Sequence, residues 1–82
     1  MKVTTEDLAR ELEEARERHA LTALAKVAAE DSLRQALESV EKYGRSEDGL
    51  RWVAVAERAV EGATENERLC RETCKWLEDQ LR

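Results

Sequence analysis

Two long heptad repeats, one in each half of the chain, constrain the fold more than any other feature of this sequence. In both halves, residues that are mostly small or apolar recur at alternating spacings of four and three, as they do along the contact line of paired helices. The first repeat is Leu8, Leu12, Ala15, His19, Thr22, Lys26, Ala29, Leu33, Ala36, Val40 and Tyr43, and the second is Val53, Ala56, Val60, Ala63, Glu67, Cys70, Cys74, Leu77 and Leu81. The pattern predicts an all-α fold, a long antiparallel helical hairpin of the coiled-coil type.

The helix ends are predicted by capping residues. Thr4 or Thr5, followed by acidic residues, starts a first helix over about residues 5–43, and Gly44 ends it. Residues 44–48 form the turn, with Ser46 as the next cap, and a second helix follows over about 48–81, so that residues 1–82 make one helical domain. A break near Asp31, which would give a three-helix bundle, is the alternative.

The composition excludes several classes of function. Charged residues make up 40% of the 82-residue chain, Pro, Phe and Ile are absent, and the net charge is -5 with both signs interspersed, so no basic tract exists to bind nucleic acid. No apolar run reaches the roughly 18 residues of a membrane span, and the N-terminus is not a signal peptide. We expect a soluble, intracellular protein in a reducing compartment, with free thiols. The composition also suits an engineered or idealised helical protein, although two cysteines and a histidine in the contact line are untypical of one.

Three consecutive contact positions of the first helix are polar. Aligning the repeats end to end places Lys26 opposite Glu67, Thr22 opposite Cys70 and His19 opposite Cys74. Polar groups in such a contact line commonly fix register at a cost in stability. We therefore predict a register-setting polar layer, composed of His19, Thr22, Lys26 and Glu67.

The same layer allows a metal hypothesis. Cys70 and Cys74 lie four residues apart on one helix face, and with His19 they offer two thiolates and an imidazole to a soft divalent metal such as zinc. The alternative is a satisfied histidine beside packed thiols that need no cofactor. No phosphate loop, nucleophile motif or desolvated carboxylate pair occurs, so the sequence predicts no enzyme.

The two sides of the hairpin differ in charge. On the second helix, one side carries Glu and Arg, whereas the other carries no charge from Trp52 to Gln80; the matching side of the first helix is uncharged from Leu21 to Ser39. Gly62 lies on this side, in mid-helix, where it costs about 1 kcal/mol relative to Ala and would let another helix approach. The predicted interface consists of Leu21, Leu24, Ala25, Ala28, Trp52, Val55, Ala59, Gly62, Leu69 and Trp76. We predict that it joins two copies into a four-helix bundle; a partner protein's amphipathic helix, or coverage by the hairpin's own side chains, are the alternatives.

Overall fold

The computed structural model describes residues 3–82 as two long antiparallel helices. Helix α1 spans Thr5–Tyr43 and helix α2 spans Glu47–Gln80, and together they form a rod of 60 × 17 × 15 Å. No strand occurs within the described residues. The predicted all-α hairpin is therefore confirmed.

Capping residues set both helix starts and the end of α1. Asp7 donates its backbone N–H to Thr4 Oγ1 over 3.1 Å, and the Asp7 carboxylate accepts the Thr4 N–H, which completes a capping box. Ser46 accepts from the Gly49 N–H in the same way at the start of α2. Gly44 has a φ of 86°, a backbone conformation that favours glycine, and its N–H binds the Val40 carbonyl at 2.9 Å.

Helix α1 runs without a break through Asp31, so the three-helix alternative is wrong. The Asp31 carboxylate does not cap a new helix. It accepts hydrogen bonds from Arg34 and Gln35, which lie three and four residues further along the same helix. These polar residues are ordinary neighbours on a helix surface.

The hairpin core is small and lies in two places. A cluster of Leu12, Ala15, Cys74 and Leu77 is buried near the open end of the rod, and Leu8 and Leu81 pack against it. Nearer the turn, only Ala36 and Ala56 are buried in the described part of the chain. Much of the contact between α1 and α2 therefore uses small side chains.

The register of the two helices differs from the predicted one by about one helical turn. Val40 lies beside Gly49, where its Cγ2 would be 3.3 Å from an added Cβ, and Leu12 packs with Leu77, whereas the end-to-end alignment placed Val53 and Leu81 opposite them. Both contacts place each α2 residue nearer the open end than the end-to-end alignment of the repeats predicted. The physical cause is the three-residue connection, residues 44–46, which holds Tyr43 and Glu47 level with each other.

Candidate interaction surface

The ten residues of the predicted interface, which we call the uncharged face, are all exposed in the hairpin. Its six large side chains, Leu21, Leu24, Trp52, Val55, Leu69 and Trp76, are between 43% and 67% accessible. The alternative in which the hairpin covers this face with its own side chains therefore does not hold. An exposed apolar surface of this extent is typical of an association site.

A shallow depression lies in the middle of the uncharged face. It has a volume of about 400 Å³ and is lined by Thr22, Ala25, Ala29, Ala59, Gly62, Ala63 and Asn66. A Cβ placed on Gly62 would meet nothing within 4 Å, so the isolated hairpin does not require glycine at this position. The space above Gly62 is open to a group from outside the chain.

In the middle of α1, the charged residue faces the neighbouring helix and apolar residues face outward. Lys26 is the only charged residue between Ala20 and Ala29, and it lies in the contact line with α2, whereas Leu24 and Val27 are exposed at 67% and 65%. A helix that packs only against one neighbour normally turns its apolar side inward. This segment is suited to having neighbours on more than one side.

Glu67 and His19 form the central contact of the polar layer. His19 Nε2 lies 2.9 Å from Glu67 Oε1, Arg71 donates to Glu67 Oε2 over 3.4 Å, and Thr22 donates its hydroxyl to the His19 carbonyl oxygen. The hydrogen bond from His19 lowers the pKa of Glu67, partial burial opposes this shift, and the positive charges of Arg71, His19 and Lys26 reinforce it. Lys26 therefore acts on Glu67 at longer range and is not its direct partner, in contrast to the predicted pairing.

The structure does not bring together the predicted metal ligands. The His19 ring is engaged by Glu67, and Cys74 is buried in the leucine cluster, where burial raises the pKa of its thiol and disfavours the thiolate that binds metals. Cys70 is only half-buried. Within residues 3–82, no group of three or more His, Cys, Asp or Glu side chains is arranged to hold a metal ion.

The opposite side of the hairpin is charged and solvated. Its ion pairs join residues three or four apart, as between Arg68 and Glu72 at 2.7 Å, or bridge the helices, as between Arg16 and Glu78 at 3.3 Å. Exposed pairs of this kind each contribute little to stability.

One apolar groove on the charged side was missed by sequence reasoning. Leu33, Leu37 and Val60 form its floor, and its volume is about 610 Å³. Charged and polar side chains surround it: Lys26, Glu30, Arg34, Glu38, Glu41 and Thr64. Leu37 could have indicated this groove in the sequence, because it is an apolar residue on the charged side, next to the contact position Ala36. In the structure Leu37 is 50% exposed.

Comparisons of the chain with protein-family models, with curated proteins and with solved structures gave no match. Neither helix, over the residues described, combines the length and the apolar character that crossing a membrane requires.

Proposed function

We propose that this chain is a structural protein-interaction module that self-associates through the uncharged face, two hairpins closing into a four-helix bundle. The observation that carries the proposal is how little surface one hairpin buries. Its accessible surface is 6566 Å², whereas a compact monomer of the same mass exposes about 5,000 Å² and the unfolded chain roughly 13,600 Å². The lone hairpin thus buries about half of its surface, less than the roughly 60% of an even smaller independent domain.

The side chains that would complete a core are on the uncharged face. The buried residues in the described part of the chain are three alanines, one cysteine and only two leucines. By contrast, the uncharged face exposes two tryptophans, three leucines and a valine. Covering these partly exposed side chains would stabilise the assembly by roughly 5 to 10 kcal/mol, comparable to the whole stability of a small domain.

A second copy of the chain fits this surface better than a charged partner. The face carries no formal charge, so it offers a foreign charged surface nothing to pair with, whereas another copy presents the same uncharged surface over the same length. At roughly 100 Å² for each partly exposed large side chain, six of them plus the small residues between approach the ~800 Å² per partner of a standard interface.

Sedimentation equilibrium tests this proposal. We expect the native chain to be a dimer at micromolar concentrations, and Leu69→Glu and Trp76→Glu to raise the dissociation constant at least tenfold, because each would bury an unpaired carboxylate in the interface. Leu37→Glu is the matched control, since Leu37 is as exposed as Leu69 but lies on the charged side. It should leave the dimer intact.

Two results would contradict self-association through the uncharged face. One is a native chain that remains monomeric up to hundreds of micromolar. The other is a loss of dimer in Leu37→Glu as large as that in Leu69→Glu, which would assign the interface to the groove around Leu37. A monomer that binds an amphipathic helical peptide through Trp76 would instead favour docking of a foreign helix.

A further inference from the structure

The layout of α2 points to a turn-to-tail pairing of the two hairpins, in which α2 of one copy packs antiparallel on α2 of the other. This inference rests on the proposed self-association and specifies how the uncharged face meets its copy. The feature that carries it is a continuous exposed stripe along α2. The stripe consists of Trp52, Val55, Ala59, Gly62, Asn66, Leu69, Thr73 and Trp76.

The stripe is arranged symmetrically about residue 64. Trp52 and Trp76 each lie twelve residues from that position, which is about 18 Å along the helix. A two-fold axis perpendicular to α2 at this point would place Trp52 against the partner's Trp76 at both ends of the contact. A pair of tryptophans, one from each copy, would then pack together at each end of the interface.

Side-chain sizes along the stripe are complementary under the same rotation. Ala59 would face the partner's Leu69, and Gly62 would face the partner's Asn66. Leu69 is 48% exposed and projects from the surface, whereas Ala59 and Gly62 line the central depression. Each copy therefore offers a projecting side chain where the other has space, as close packing requires.

The opposite, turn-to-turn orientation would bury charge. It places α2 of one hairpin over α1 of the other at the same level of the rod. Trp76 adjoins Leu77, which clusters with Leu12, so Trp76 would cover the exposed Glu11 and Glu14 of the partner. The cation nearest to these carboxylates on the same side of α1 is Arg18, four residues after Glu14. Covering the carboxylates with an indole ring would remove them from water, and this cost disfavours the orientation.

A double-mutant cycle on the full chain tests the orientation. Ala59→Leu alone should crowd the partner's Leu69, and Leu69→Ala alone should leave a void opposite Ala59, so each should weaken the dimer. The double variant restores one large and one small side chain at each contact and should bind about tenfold more tightly than the single effects predict. Within one chain these residues lie about 15 Å apart on the helix, too far for direct coupling.

The control is the pair Val55→Ala and Leu69→Ala, whose positions do not meet in the turn-to-tail dimer and whose effects should add. Circular dichroism of each variant checks that the helices persist, as expected for exposed positions. Additive effects at Ala59 and Leu69 in a chain that still dimerises overturn the orientation and leave self-association standing. A monomeric native chain overturns the proposed function itself.

Discussion

Glu67 keeps its carboxylate between the helices because separate side chains bond its two oxygens. His19 reaches Oε1 from α1, and Arg71 reaches Oε2 from the next turn of α2. The Glu67 side chain is only 14% exposed, so water cannot readily replace these two bonds. Losing either bond would therefore cost more stability than losing an ion pair on the surface. The sequence predicted that these polar residues would meet, but the register, which depends on the three-residue connection, made His19 and not Lys26 the direct partner of Glu67.

The lowered pKa of Glu67 predicts a pH-dependent contribution to stability. A carboxyl whose pKa is lower in the folded state stabilises the fold above its ordinary value of 4.5, and this contribution is lost as the pH falls through the folded-state value. Glu67→Gln should therefore destabilise the hairpin at neutral pH, and its difference from the native chain should shrink as the pH falls below 4.5. Urea unfolding of both chains at a series of pH values measures this.

The control for Glu67 is Glu57→Gln, which removes the same charge from an exposed position of α2. It should show a smaller difference at neutral pH. A Glu67→Gln effect of constant size from neutral to acidic pH would show that the carboxylate charge is not what stabilises the contact.

The helices as elements were largely predictable from the sequence, whereas their register was not. Caps at Thr4, Ser46 and Gly44 act over three or four residues, so local sequence is enough to place the helix ends. Register depends on the loop length and on how helices of opposite direction interleave their contact positions. The alignment that places Lys26 opposite Glu67 takes account of neither the loop length nor this interleaving. The predicted register therefore differs from the observed one by about one helical turn.

Close approach of the helices near the turn predicts intolerance to larger side chains. Ala36 is fully buried, with no accessible surface, on the α1 side that packs against α2. Ala36→Leu should cost about 1 to 3 kcal/mol of unfolding free energy, because three extra carbons must separate the helices. Chemical denaturation followed by circular dichroism measures the change.

The matched control for Ala36 is Ala54→Leu, the same substitution at an exposed position of α2. Its effect should stay within about 0.5 kcal/mol. If both substitutions destabilise equally, overpacking is not the cause, and the helices do not approach closely at Ala36.

At the scale of the whole molecule, the uncharged face could be predicted from charge patterning, but its shape could not. Heptad positions showed which residues share a side of the hairpin. They did not show that the centre is a depression, or that Leu37 helps to line a groove on the other side. Those features depend on the distance between the helices and on side-chain conformations, which spacing alone does not determine.

Self-association predicts that thermal stability depends on protein concentration. Only folded chains dimerise, so a higher protein concentration favours the folded state. A tenfold rise in total concentration should therefore raise the Tm of the native chain by a few degrees. Leu37→Glu should retain this dependence, and Leu69→Glu should lose most of it. Thermal melts over a hundredfold range of concentration check it, and a Tm that is equally insensitive in all three chains contradicts the prediction.

The turn and the buried side chains hold the two helices together at opposite ends of the rod. The turn tethers the helices most tightly beside it, where Ala36 and Ala56 add little apolar area. The entropy cost of closing a contact rises with the length of chain between its partners, so it is greatest at the open end. Leu12 and Leu77 lie there, where the tether contributes least, and truncating either should let the free ends of the helices splay apart while the turn stays closed.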